Sequence, residues 1–300
     1  MTTRELSSAP SLPRLYATSL VPGLPSWAGG GTPPVGLPDL EITLPELTVD
    51  PQHLAAYNRV CELRPSDQLP ITYLHILTFP VSVQLMTDRS FPYPLVGLVH
   101  LAQRMTLHRQ VRLDETLSVR VRTDRLRTHK KGMVFDVLAE VRVGDELVYL
   151  GESSYLRPGK SSDQGVAAEL PTDLPGDSVP GGLEAPEGTP PIVWSVPGDI
   201  GRRYSSVSGD VNPIHLHPLT ARALGFPRHI AHGMWTHAKA MAGFEGRLPE
   251  AYVTDVRFLK PLLLPAKVAF TPFSTNDGEA FTLRGVKKDE PHLAGTIRSV

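Results

Sequence analysis

An aspartate, an asparagine and a histidine, Asp210, Asn212 and His215, stand within six residues in the run Tyr204-Ser-Ser-Val-Ser208-Gly209-Asp210-Val-Asn212-Pro213-Ile-His215. After sixteen further residues comes His232-Gly233-Met234. A carboxylate and an imidazole side by side can take up and return a proton, because histidine titrates near neutrality and a carboxylate can share its load. The amide between them can hold a water or tie the pair together. Gly233 stands where a helix is expected to open. Its backbone can approach a substrate closely, and its N–H points toward developing negative charge. The set is equipped to move a proton beside a carbonyl.

Taken alone, Ser-Gly-Asp-x-Asn-Pro is a good turn, since each of these residues is favoured there. The chemical reading rests on His215 and the His-Gly-Met start following in register. Tyr204 and Ser208 are candidate substrate contacts, but Tyr204 reads equally as a core aromatic and Ser208 as a local hydrogen-bonding group. Five histidines, His215, His217, His229, His232 and His237, fall in twenty-three residues and raise the question of a metal. No His-x3-His pair occurs among them and no glutamate stands with them as a base, so no metal is expected. His232 is read instead as orienting the loop ahead of the helix and as a candidate substrate contact. Neither a Gly-x-Ser-x-Gly elbow nor a phosphate-cradling glycine loop is present, which argues against a serine hydrolase and a nucleotide site.

These residues need a scaffold, and 300 residues with 41% hydrophobic and 20% charged provide enough chain for one large domain or two moderate ones. A formal charge of −1 gives no global attraction to nucleic acid or to an anionic membrane surface. The single cysteine, Cys61, cannot form an internal disulfide. With no leader-like or membrane-length apolar run, the reading is a cytoplasmic protein with no membrane span.

Thirty prolines punctuate the chain unevenly. Residues 1–38 combine seven of them with Gly29-Gly30-Gly31 and read as an irregular arm. A second Pro- and Gly-rich stretch, 159–191, reads as a linker between units at 39–158 and 192–300. Both units show the same order of elements. Asp50-Pro51 is an N-cap followed by proline at the first helical position, opening a helix to about Leu63; Pro197-Gly198-Asp199 opens another to about Val207. Each is followed by a more apolar helix, expected over Val96–Met105 and Gly233–Phe244. Strand-like runs come next: 115–128, 133–143 and 147–156 in the first unit, and 252–260, 266–274, 280–287 and 293–299 in the second. Asn276-Asp277-Gly278 marks a hairpin. Alternation in Leu117-Ser-Val119-Arg-Val121-Arg indicates a sheet with one buried face. An antiparallel sheet of this kind can curl round an apolar helix, once in each unit.

The motif from Tyr204 to His215, with Ala221, Ala223, Gly225-Phe226 and Ile230-Ala-His232-Gly233-Met234, resembles the signature of MaoC-like (R)-specific enoyl-thioester hydratases, the hydratase 2 family. More weakly, Leu69–Pro80, Phe91–Pro94 and Val96–His100 are similar to the first half of two-unit members, including 3-hydroxyacyl-thioester dehydratases. The resemblance implies an α+β tandem double hot-dog fold. It implies interconversion of trans-2-enoyl and (3R)-3-hydroxyacyl thioesters in fatty-acid metabolism. Coenzyme A or acyl carrier protein would carry the acyl group, no cofactor would be needed, and the protein would be a monomer or homodimer. Asp210, Asn212 and His215 match the family's acid-base and water-holding residues, and Gly233 its oxyanion donor. In the first half, Asp67 and His75 are eight apart without Asn-Pro between them, and Val96 rather than histidine precedes Gly97. That half therefore reads as non-catalytic, with Tyr73, Phe79, Phe91 and Tyr93 as candidates to line an acyl pocket. Two alternatives stay open: a hot-dog acyl-thioesterase, and a non-catalytic subunit that binds acyl thioesters.

Overall fold

The computed structural model describes residues 1–19, 36–159, 173–180 and 182–300. In chain order the elements are β1 (Thr2–Glu5), α1 (Leu12–Ser19), β2 (Leu40–Leu47), α2 (Pro51–Cys61), α3 (Ile71–Met86), β3 (Val99–Leu107), β4 (Leu117–His129), β5 (Gly132–Val143) and β6 (Glu146–Pro158). The chain continues through β7 (Ile192–Val196), α4 (Ile200–Ser208), α5 (Pro213–Leu216), α6 (Pro218–Ala223), α7 (Gly233–Ala242), β8 (Tyr252–Phe258), β9 (Ala266–Thr275), β10 (Gly278–Gly285) and β11 (Pro291–Ser299).

Local chemistry explains the boundaries. Asp50 caps α2, its Oδ1 accepting from the Gln52 N–H at 2.8 Å, and Pro51 fills a position that needs no donor. Glu62 ends the helix in the left-handed region. Gly209, at φ +69°, ends α4 in the same way, just ahead of Asp210. Asn212 then caps α5 through its own Oδ1, followed by Pro213.

Among the described residues, the eleven strands form one sheet in the order β1-β2-β4-β5-β6-β3-β8-β11-β10-β9-β7. Leaving β1 aside, this order is a palindrome of two equivalent units. The run β2-β4-β5-β6-β3 of the first is matched by β7-β9-β10-β11-β8 of the second, and β3 pairs antiparallel with β8 at the centre. Helix α3 packs against β2 to β6 and also meets α7. Twelve of its sixteen residues are buried, so it carries no polar stripe, as expected of a helix enclosed by a sheet. Around α7, Trp235, Phe244, Phe270 and Phe281 are all fully buried. The architecture is the α+β tandem double hot-dog fold.

The helix expected over Val96–Met105 is strand β3, and the central helix of the first unit is α3. Gly97 explains the misreading. It resembled the helix-opening Gly233, yet it adopts φ +99°, which a helix does not accommodate. The 1–38 segment is not wholly irregular. Strand β1 adds to the sheet in parallel with β2, and α1 packs on α3. Residues 20–35, 160–172 and 181, within the expected arm and linker, lie outside the described residues. Linker residues 173–178 sit against the β3–β8 seam. Asp255 accepts from the Gly176 N–H at 2.6 Å and from the Ser178 hydroxyl, and Arg104 donates to the Leu174 carbonyl. Among the described residues, no helix is long and apolar enough to cross a membrane.

Candidate active site

The turn between α4 and α5 delivers Asp210, Asn212 and His215 to one face of a cavity of about 200 Å³, and the start of α7 delivers His232 and Gly233 to the same space. One side-chain nitrogen or oxygen each from Asp210, His215 and His232 lies within 4.8 Å of the others. Two hydrogen bonds of about 2.8 Å meeting at one water span such a distance.

Backbone carbonyls fix both imidazoles. His215 donates from Nδ1 to the Ile230 carbonyl at 2.9 Å, which leaves Nε2 as the bare, accepting nitrogen. His232 lies 3.2 Å from the Asp210 carbonyl through Nε2, so that nitrogen carries the proton. The rings stack at 3.6 Å between centroids, 26° from parallel. Burial lowers the pKa of His215, an effect partly opposed by Asp210 and the Ile230 carbonyl. Burial and the neighbouring His215 push His232 down to about 3. Both rings are therefore neutral at physiological pH.

Asp210 keeps 24% of its side-chain surface exposed. Burial raises its pKa, but His232, His215, the Tyr16 hydroxyl and the Asn212 N–H outweigh that and hold the carboxyl below its usual range. Its Oδ1 accepts from Asn212 N at 3.1 Å, while Oδ2 lies 3.6 Å from His232 Nε2. The loop is pinned underneath. Ser205 donates to the Asp210 carbonyl at 2.7 Å, and the Asp210 N–H donates to Ser208 Oγ at 3.2 Å. Ser208 thus acts locally while also bordering the cavity.

Gly233 occupies the first position of α7, where backbone N–H groups have no partner within the helix. A Cβ here would lie 2.7 Å from Phe258 Cδ1, so the close approach of that ring demands glycine. Phe258 also borders the cavity. The glycine therefore places the first N–H groups of α7 at the cavity wall.

The trio of Asp210, His215 and His232 is also the one cluster of potential metal ligands among the described residues. A metal binds in the plane of an imidazole, along its lone pair. His232 Nε2, engaged with the Asp210 carbonyl, carries a proton and offers no lone pair through that nitrogen.

The first unit contributes Ile76, Phe79, Met86 and Leu98 to the apolar wall, and the second contributes Ile214, Phe226, Met234 and Leu262. Tyr204 is fully buried and lines the cavity with its ring 5.0 Å from His232. Tyr73 and Phe91, expected as substrate contacts, do not line it. Tyr73 faces α2, its hydroxyl 2.8 Å from His53 Nδ1 and its ring against Tyr57. Phe91 packs edge-on against Phe135 and Tyr93 and is fully buried. Tyr93, the fourth expected lining aromatic, is also absent from the cavity wall. Asp67 is 56% exposed and ion-paired with Arg112 at 2.8 Å, away from the site.

Sequence reasoning missed Tyr16, His75, His100 and Tyr155, all of which line the cavity. His75 and His100 come from the first unit, where burial lowers them to about 4 and about 3. No local motif marks these four. Ser11-Leu12-Pro13, a helix-opening pattern that the irregular-arm reading passed over, is a signal that could have located α1 and with it Tyr16.

Residues 187–294 match a MaoC-like domain, and residues 66–150 match a FAS1-like dehydratase domain region. The chain is 36% identical over 266 residues to 3-hydroxyacyl-thioester dehydratase X of Mycobacterium tuberculosis, covering 88% of this chain and 91% of that protein. A crystal structure of HtdX from the same organism superposes with a TM-score of 0.74 at 34% identity, covering 87% of this chain and 100% of that one. A MaoC-like dehydratase from Phytophthora capsici shares the fold, with a TM-score of 0.64 at 17% identity over 86% of this chain and 95% of that one. With its paired units, the Asp210–His215 site and this degree of identity, the chain belongs to the MaoC-like hydratase and dehydratase family of enzymes.

Proposed function

We propose that this enzyme interconverts trans-2-enoyl and (3R)-3-hydroxyacyl thioesters, with the second unit carrying the chemistry and the first shaping the acyl pocket. The observation that carries the reading is the convergence of the Asp210 carboxylate, the bare Nε2 of His215 and the Gly233 N–H on one largely apolar cavity. Asp210 is the one carboxylate among the described residues lining it.

In the hydration direction, Asp210 and His215 both accept from one water. The water oxygen bonds to C3 as its proton passes to this pair. Electron density moves to C2 and the thioester oxygen, where the Gly233 N–H holds the charge; a donor of this kind is worth about 3 to 4 kcal/mol of barrier. The pair then returns its proton to C2, and the site regains its starting state. Dehydration runs the same steps backward. Asn212, whose Oδ1 is spent on capping α5, contributes its backbone N–H to Asp210 and holds the loop in place.

The neutral, carbonyl-fixed His215 favours hydration over thioester hydrolysis, because two acceptors hold a water for addition at C3 with the oxyanion donor on the substrate's other end. The carrier is coenzyme A or acyl carrier protein. The test is turnover of a chain-length series of enoyl thioesters on both carriers. Loss of enoyl absorbance without release of free thiol is expected; thiol release without hydration would replace this reading with a thioesterase.

A further inference from the structure

We infer that Tyr16, carried into the cavity by the N-terminal segment, is a positioning residue for Asp210 and that this segment completes the site. The inference rests on Asp210 being the catalytic carboxylate proposed above.

Tyr16 lies 194 residues from Asp210 in sequence, yet its hydroxyl donates to Asp210 Oδ1 at 2.7 Å. The side chain is 5% exposed and borders the same cavity. Its seat is built from both sides. Leu12, one helical turn earlier on the same face of α1, packs on Gly209, where even a Cβ would come within 2.3 Å of Leu12 Cδ1. Two residues spaced i, i+4 on α1 therefore meet two consecutive residues, Gly209 and Asp210, of the catalytic turn. Farther back, β1 adds to the edge of β2, and Arg4 pairs with Asp88 at 2.6 Å. An eight-residue helix is marginal alone, so these contacts are what order α1.

The chemistry follows from counting donors. Oδ1 receives two, the Tyr16 hydroxyl and the Asn212 N–H, while Oδ2 faces His232 at 3.6 Å. Saturating one oxygen assigns the other to the water and fixes the rotation of the carboxylate. Hydrogen bonds to the charged form also make the carboxyl more acidic. The other titratable groups that act on Asp210 or are acted on by it are His75 of α3, His100 of β3, Tyr155 of β6, Tyr204 of α4, His215 of α5 and His232 ahead of α7. Of the tyrosines, Tyr16 donates to the carboxylate directly.

The test compares full-length wild type with Tyr16→Phe, Leu12→Ala and Asp210→Asn, using kcat/KM for enoyl-CoA hydration across the acid range. Tyr16→Phe keeps the ring and removes the donor. It is expected to move the acid limb upward by about one pH unit and to lower kcat about 10-fold. Leu12→Ala, which loosens the seat without touching the carboxylate, is expected to move the limb in the same direction. If Asp210→Asn is inactive while both other variants keep the wild-type limb, the inference about Tyr16 is overturned and the proposed chemistry stands. Turnover by Asp210→Asn at the wild-type rate would overturn both.

Discussion

At the scale of single residues, the site works because competing demands on each group are settled by its immediate neighbours. Phe258 requires glycine at 233, since a Cβ would lie 2.7 Å from that ring. Gly233→Ala is therefore expected to push α7 or Phe258 away and displace the N–H, lowering kcat about 100-fold. Enoyl-absorbance kinetics check this, and unchanged kcat would show that the N–H holds no developing charge. The motif residues Asp210, Asn212, His215 and Gly233 were legible in the sequence because their spacing is local. Tyr16, His75, His100 and Tyr155 were not, since each reaches the cavity through tertiary packing rather than a run of neighbours. Tyr73 and Phe91 lie off the cavity for the converse reason: an aromatic side chain is buried somewhere, and its sequence does not say which neighbours it meets.

At the scale of elements, the N-caps and turns were readable and the central helix of the first unit was not. Helix α3 is apolar all round and contains Pro80, so it shows neither an amphipathic stripe nor an uninterrupted helix pattern. Strand β3 took its place in the reading through Gly97. The seam between units was equally hidden. Asp255 of β8 is fully buried; it accepts two bonds from Arg104 of β3, at 3.2 and 3.0 Å, together with the Gly176 N–H and the Ser178 hydroxyl. Removing one partner of such a pair strands the other. Asp255→Ala is expected to cost about 3 to 5 kcal/mol, read as a lower midpoint in urea unfolding. An unchanged midpoint would mean that the seam does not depend on this carboxylate.

For the whole molecule, the palindromic strand order was foreshadowed by the repeated sequence of elements, while the docking of α1 and of residues 173–178 was concealed by their proline content. Packing the two units together also buries histidines, three of them at the cavity and His237 against Thr254. His75 falls to about 4, and His100, His232 and His237 to about 3, each chiefly through burial. The unfolded chain binds protons at these rings near pH 6.5, whereas the folded chain does not until far lower. Stability is thus fully present above pH 6.5 and is lost as the pH falls toward about 3. Calorimetry at pH 7.5 and pH 5 is expected to give a clearly lower Tm at the acid value; equal values would contradict neutral burial of the four rings. The central claim, a single hydro-lyase site in the second unit, is tested most directly by following crotonyl-CoA or a longer enoyl-CoA with wild type, Asp210→Asn and His215→Ala, and determining the chirality of the product. The expected outcome is (3R)-3-hydroxyacyl-CoA from the wild type and a loss of at least about 1,000-fold in both folded variants. Undiminished turnover in both, or a (3S) product, would contradict it.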